Sequence, residues 1–133
     1  MAAIKVLDSY AILAFLEDEP SAGRVRELLL RAEEGKAQLA VTVVNLGEVW
    51  YAIAKVDSQD TADRMTQEIQ GMAIEVVDVD WTLARAAAAL KAKGGASYAD
   101  CFAAALAKLR KGEVITGDPE FKRLEREVKV AWL

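Results

Sequence analysis

Short apolar runs alternate with longer stretches of helical periodicity along the whole of this chain, and that alternation limits the folds open to it. Ala3-Ile4-Lys5-Val6-Leu7, Gln38–Thr42, Ile74–Val77, Glu113–Thr116 and Val128–Leu133 read as strands, the last at or near a sheet edge. Between them lie helical patterns. Ser9 to Asp18 carries Ala11, Ile12, Ala14, Phe15 and Leu16. Pro20-Ser21 opens a second helix with Val25, Leu28, Leu29 and Ala32 inward, stopped by Gly35. Val43 to Val56 places Leu46, Val49, Trp50 and Ile53 on one face. A polar start at Asp57-Ser58-Gln59-Asp60 leads a helix to about Gln70, with Ala62, Met65 and Ile69 as its inner stripe. Asp80 to Lys93 is an alanine-rich helix closed by Gly94-Gly95, Ser97 opens another reaching Leu109, and Asp118 starts a short one ending near Leu124. The order β-α-α-β-α-α-β-α-α-β-α-β predicts an α/β fold: a three-layer α/β/α sandwich with a mostly parallel, twisted sheet of about five short strands. Residues 1–133 fit one domain, with no linker, repeat or low-complexity segment.

Apolar residues make up 53% of the chain, enough for a full core without disulfides or a structural metal. No apolar run approaches the ~20 residues that span a bilayer. The N-terminus lacks the basic and long apolar regions of a signal peptide. The single cysteine fits a reducing, cytoplasmic setting. There is no histidine. That excludes Ser-His-Asp and Cys-His catalysis, and with one cysteine it excludes the usual zinc, haem, iron–sulfur and blue-copper sites. Gly-rich phosphate loops are absent as well. An enzyme built from this chain is left with carboxylates, whose hard oxygens suit Mg²⁺ or Mn²⁺.

Ligands of parallel α/β sheets bind beyond the carboxyl ends of the strands, so the residues just after each strand matter most. Asp8 follows the first strand directly, and Asp118 follows the fourth in Thr116-Gly117-Asp118-Pro119-Glu120-Phe121. Both have a structural reading as helix N-caps, Asp118 especially with Pro119 behind it. Two acids after two separate strands nevertheless point to the same end of the sheet. Asp100, in Ser97-Tyr98-Ala99-Asp100, reads equally as part of a capping arrangement. Glu48 lies off the core stripe of its helix, which a solvated glutamate also satisfies. The four sit on four elements, and only the fold can unite them.

Taken together these pieces resemble the PIN-domain family, in particular the VapC-type toxins of bacterial and archaeal toxin–antitoxin pairs. The matching segments are Val6-Leu7-Asp8-Ser9, Asn45-Leu46-Gly47-Glu48-Val49, Ser97-Tyr98-Ala99-Asp100-Cys101 and Thr116-Gly117-Asp118-Pro119-Glu120-Phe121. The resemblance implies a metal site made of Asp8, Glu48, Asp100 and Asp118. It matches Thr116 to a hydroxyl residue that orients water or a carboxylate, and leaves Ser9 and Asn45 outside the direct ligands. It further implies an endoribonuclease using Mg²⁺ or Mn²⁺, a homodimer, and a cognate antitoxin whose peptide blocks the site. With metal-activated water as the attacking group and no histidine to activate a ribose hydroxyl, the expected products carry 5′-phosphate and 3′-hydroxyl ends.

The net charge of −4 is unusual for a binder of nucleic acid. Setting aside the four acids of the implied metal site, however, leaves 17 basic and 17 acidic residues out of the 17 and 21 present. Basic residues cluster at Lys108-Leu109-Arg110-Lys111 and at Lys122, Arg123, Arg126 and Lys129, either to meet RNA or simply to sit at solvated helix ends. Trp50 fits a core stripe, Tyr51 and Trp81 are undecided between packing and base stacking, Phe121 is expected to pack, and Cys101 to be a small buried residue. A phospho-accepting receiver domain would need an acidic pair after the first strand, where Leu7-Asp8-Ser9 offers one acid. A non-catalytic PIN-like scaffold for protein or RNA, and a nuclease acting on DNA, are the other readings.

Overall fold

A computed structural model describes residues 3–133. Its elements follow the expected order. They are β1 (Ile4–Leu7), α1 (Ser9–Leu16), α2 (Ala22–Glu33), β2 (Gln38–Thr42), α3 (Val43–Val56), α4 (Gln59–Gln70), β3 (Ile74–Val77), α5 (Trp81–Ala92), α6 (Tyr98–Leu109), β4 (Glu113–Thr116), a 3-10 helix (Pro119–Leu124) and β5 (Lys129–Trp132). The five strands pair in the order β3-β2-β1-β4-β5, and every pairing is parallel, so the sheet is wholly rather than mostly parallel. β5 is an edge, as its position in the sequence suggests.

This order has one physical consequence for function. The chain builds outward from β1 in one direction through β2 and β3, then returns to β1's other side with β4 and β5. The crevice where the order reverses lies between the carboxyl ends of β1 and β4. The register sets Leu7 beside Ile115, so Asp8 and Thr116 emerge next to each other.

Each face of the sheet carries its own apolar layer. Alternation along the strands decides the sides: Val6 and Val114 join α5, α6 and the 3-10 helix through Leu83, Ala87, Phe102, Leu106 and Phe121. Leu7 and Ile115 face the other way, to Ile12, Val25, Val49 and Ile69 of α1 to α4. α6 is buried almost all round, from Asp100 to Ala107. Its run of alanines lets it lie close against the sheet and α5.

Local chemistry explains most boundaries. Asp8, Thr42, Ser58, Asp80, Ser97 and Asp118 each accept a hydrogen bond from a main-chain N–H in the first turn of the helix they precede. α2 ends where Gly35 takes φ 75°, a left-handed conformation that glycine adopts without a Cβ clash. Three expectations shift. Pro20 stands outside α2, which begins at Ala22. The segment after Asp118 is a tight 3-10 helix. Trp50 is only partly inside: its Nε1 donates to Asp63 Oδ1 on α4 at 2.8 Å, because an indole N–H needs a partner that the core cannot give. Tyr51 and Trp81 are exposed, while Cys101 and Phe121 are fully buried. Among the described residues no helix is long and apolar enough to cross a membrane.

Phe121 is the largest fully buried side chain and pins the 3-10 helix to the sheet. Phe121→Ala should cost about 3–5 kcal/mol of unfolding free energy, read from the urea midpoint. A loss below ~1 kcal/mol would contradict this packing.

Candidate active site

Asp8 emerges from β1 directly into the crevice and is 1% exposed. Its two oxygens have separate partners. Oδ1 accepts from the Ala11 N–H at 2.9 Å, and Oδ2 accepts from the hydroxyl of Thr116. Thr116, the last residue of β4 and fully buried, also accepts through Oγ1 from the Asp118 N–H at 3.0 Å. One hydroxyl therefore ties the acid after β1 to the loop bearing the acid after β4. Asp118 turns its Oδ1 to the Glu120 N–H at 3.0 Å, which starts the 3-10 helix.

Asp100 enters the same crevice from the first turn of α6. Ser97 Oγ accepts from its main-chain N–H at 3.1 Å. The side chain is 5% exposed, and its Oδ2 has no hydrogen-bond partner among the described residues. Asp100, Asp118 and Glu120 each offer a carboxylate oxygen such that these atoms lie within 4.8 Å of one another. Burial pushes Asp100 up to about 7, helped chiefly by the negative charge of Asp118 and then of Asp8. Burial likewise pushes Asp8 up to about 7, against its hydrogen bonds to Thr116 and Ala11, with Asp118 and Glu48 adding repulsion. Asp8 thus feels the charges of Asp118 and Glu48, and Asp100 those of Asp118 and Asp8.

One member of this neighbourhood was not singled out by sequence, and a second, Asn45, was matched only as a residue outside the direct ligands. Glu120 joins Asp100 and Asp118, and its signal was only the Asp-Pro-Glu spacing. Asn45 is fully buried and saturated. Its Oδ1 accepts from Thr42 Oγ1 at 2.6 Å, and its Nδ2 donates to Glu48 Oε1 at 3.2 Å and to the Ala99 carbonyl at 3.1 Å. It fixes Glu48 and locks α3 to the turn that carries Asp100. A polar residue one turn before Val49, on the core face of α3, was the available clue.

Most of the basic residues noted above are engaged within the protein. Lys108 pairs with Glu127, Arg110 forms a two-pronged pair with Glu75, Lys129 pairs with Glu113, and Arg123 donates to the Gly95 carbonyl. The site itself is walled by acids and by the positive ends of helices: Asp8 and Asp118 are N-caps and Asp100 lies in a first turn, where helix dipoles favour negative charge. Clustered hard oxygens with one buried oxygen unsatisfied form a donor set suited to a divalent cation.

Comparison with known proteins agrees with this architecture. No curated protein sequence matches the chain. Among solved structures, VapBC2 from Rickettsia felis, bound to a DNA fragment from its promoter, has a chain 17% identical with a TM-score of 0.75, each chain covered to 98%. VapBC-5 from Mycobacterium tuberculosis, a member of the VapBC family of toxin–antitoxin systems, is 27% identical with a TM-score of 0.61 and 98% coverage of both chains. Mycobacterium tuberculosis VapC20, a toxin described as cleaving the sarcin-ricin loop, is 14% identical with a TM-score of 0.71, covering 93% of this chain and 95% of its own. The profile of the PIN domain matches residues 5–127, nearly the whole chain, and the protein therefore belongs to the PIN domain family.

Proposed function

We propose that this protein is a divalent-metal-dependent endoribonuclease, the VapC-type toxin of a toxin–antitoxin pair acting in the cytoplasm. What supports the reading is the group of carboxylates at the crevice between β1 and β4: oxygens of Asp100, Asp118 and Glu120 lie within 4.8 Å of one another, Asp8 feels the charges of Asp118 and Glu48, and Asp100 Oδ2 is unpartnered among the described residues. Family membership and the likeness to VapC20 support RNA as substrate. The likeness to chains of VapBC pairs supports a cognate antitoxin as partner, and the family resemblance supports a homodimer.

The four acids would hold Mg²⁺ or Mn²⁺, with Glu120 added to them. A bound cation supplies charge neutralisation at the phosphodiester and acidifies a water molecule beside it. The protein's own groups arrange the acids for this. Thr116 aims Asp8 and anchors the backbone of Asp118 together, so the spacing between these two is set by a single hydroxyl. Asn45 holds Glu48 in place from the core side. Helix N-termini behind three of the acids offset part of their repulsion, so the cluster can persist until a cation arrives.

Sequencing of RNA ends after brief expression tests the function itself. The wild type should generate new ends with 5′-phosphate and 3′-hydroxyl groups, and Asp8→Asn should not. Identical end profiles for the two, or 2′,3′-cyclic phosphate as the stable product, would overturn the reading.

Thr116→Val keeps shape and removes the hydroxyl, leaving the Asp118 N–H and Asp8 Oδ2 unpaired. It should cost about 1–3 kcal/mol of stability and at least about ten-fold in cleavage rate, while Thr116→Ser keeps most of both. Equal behaviour of the Val and Ser variants in cleavage assays would contradict the role of the hydroxyl.

The acids also set a pH dependence. In the folded, metal-free protein Asp8 and Asp100 keep protons up to about pH 7, whereas the ordinary value is 3.8. Between those values the folded state binds more protons than the unfolded one, so stability falls as pH rises from about 4 to about 7 and stays low above it. The thermal midpoint in chelator should be lower near pH 8 than near pH 5, Asp100→Asn should flatten that slope, and Mg²⁺ should restore the midpoint near pH 8. A chelated midpoint that does not fall over this range would show that the acids are not under strain.

A further inference from the structure

Tyr10 lies two residues beyond Asp8, in the first turn of α1. Its ring packs against the turn between Thr116 and Asp118. A Cβ placed on Gly117 would come within 2.4 Å of Tyr10 Cε1 and 2.8 Å of Cζ. Gly117 is not in the left-handed region, so its missing side chain serves the approach of the ring and not the path of the backbone. The ring therefore sits one residue away from two members of the acid site. Despite this contact Tyr10 remains 43% exposed. It also borders a surface depression lined by Leu13, Ala14, Glu17 and Glu19. Apolar walls with acidic acceptors repel a phosphate but suit a nucleobase, whose flat face is apolar and whose amino groups donate hydrogen bonds.

The protein has a further need that this would meet. Its net charge is −4, and Lys108, Arg110 and Lys129 of its basic clusters are paired internally, which lowers their attraction to a phosphate backbone. Aromatic stacking adds affinity for single-stranded RNA that is sequence-tolerant and comes from the base and not from the phosphate.

We propose that Tyr10 is the base-stacking platform of this site: the nucleobase adjoining the scissile phosphodiester stacks on its ring while the phosphate faces the carboxylates. This rests on the ribonuclease reading above. Gly117 is its seat.

Binding can be read apart from cleavage in a Glu48→Gln background with Mg²⁺ present. The probe is a fluorescent mixed-sequence RNA of about twelve nucleotides, a length within the usual site sizes, followed by anisotropy. Its control is the same ribose-phosphate strand without bases. Tyr10→Ala and Tyr10→Leu should each weaken binding of the RNA about ten- to a hundred-fold and leave the base-free strand unchanged, while Tyr10→Phe binds as the parent does. Gly117→Ala should weaken RNA binding by displacing the ring, and should add little in a Tyr10→Ala background because the clash partner is gone. Equal losses on both strands would assign Tyr10 a purely structural role and overturn the proposal. So would unchanged RNA binding, or a Tyr10→Ala protein that binds RNA normally but escapes inhibition by an antitoxin peptide. If the wild type leaves RNA uncut in the end-sequencing experiment, the ribonuclease reading itself falls. If it cuts RNA while the Tyr10 variants bind normally, only the stacking role falls.

Discussion

Repulsion among buried carboxylates is the constraint around which the rest of this molecule is arranged. Asp8 and Asp100 are almost wholly removed from water, and each feels the charge of its neighbours. Burying such groups without compensation is costly. Compensation comes from every layer of the fold. Helix N-termini point at three of the acids, a threonine hydroxyl divides itself between two of them, and a buried asparagine holds a fourth. What remains uncompensated is Asp100 Oδ2, unpartnered among the described residues. A compact fold that tolerates this arrangement gives up stability at neutral pH for a concentrated negative field at one end of its sheet.

The position of that field follows from topology. Parallel strands need crossover helices, and the sheet's order reverses beside β1. The residues that follow β1 and β4 must then share a crevice whatever their identity. Aspartate at both places serves two purposes at once. It caps the next helix, and it supplies a carboxylate to the crevice. The capping reading and the site reading of Asp8 and Asp118 are therefore compatible, because the two oxygens of one carboxylate can face different ways.

Much of the architecture was legible in the sequence because it depends on local patterning. Strand limits at Gln38–Thr42, Ile74–Val77 and Glu113–Thr116, and the limits of α3, coincide with the apolar periodicity. Asp8 and Asp118 were legible for the same reason, standing at the ends of identifiable strands, whereas Glu48 and Asp100 drew on family resemblance. The features that escaped depend on contacts between distant segments. Asn45 joins α3 to the Ala99 carbonyl 54 residues away, Trp50 leaves the core to reach Asp63, and Tyr10 meets Gly117 across the crevice. Periodicity within one helix carries no trace of such partners. Gly117 in particular reads as turn punctuation until a ring is found where its side chain would be.

The bond between Thr116 and Asp8 spans 108 residues of sequence. Helix α1 can form early, with Asp8 as its local cap, but the crevice has only one wall until β4 pairs with β1. A chain emerging from the ribosome N-terminus first therefore carries Asp8 without its partner while the next 108 residues are made. The carboxylates come together only once β4 is available, and long-range pairing of this kind is among the slower steps of folding. The timing of synthesis thus withholds the assembled crevice until β4 has taken its place beside β1.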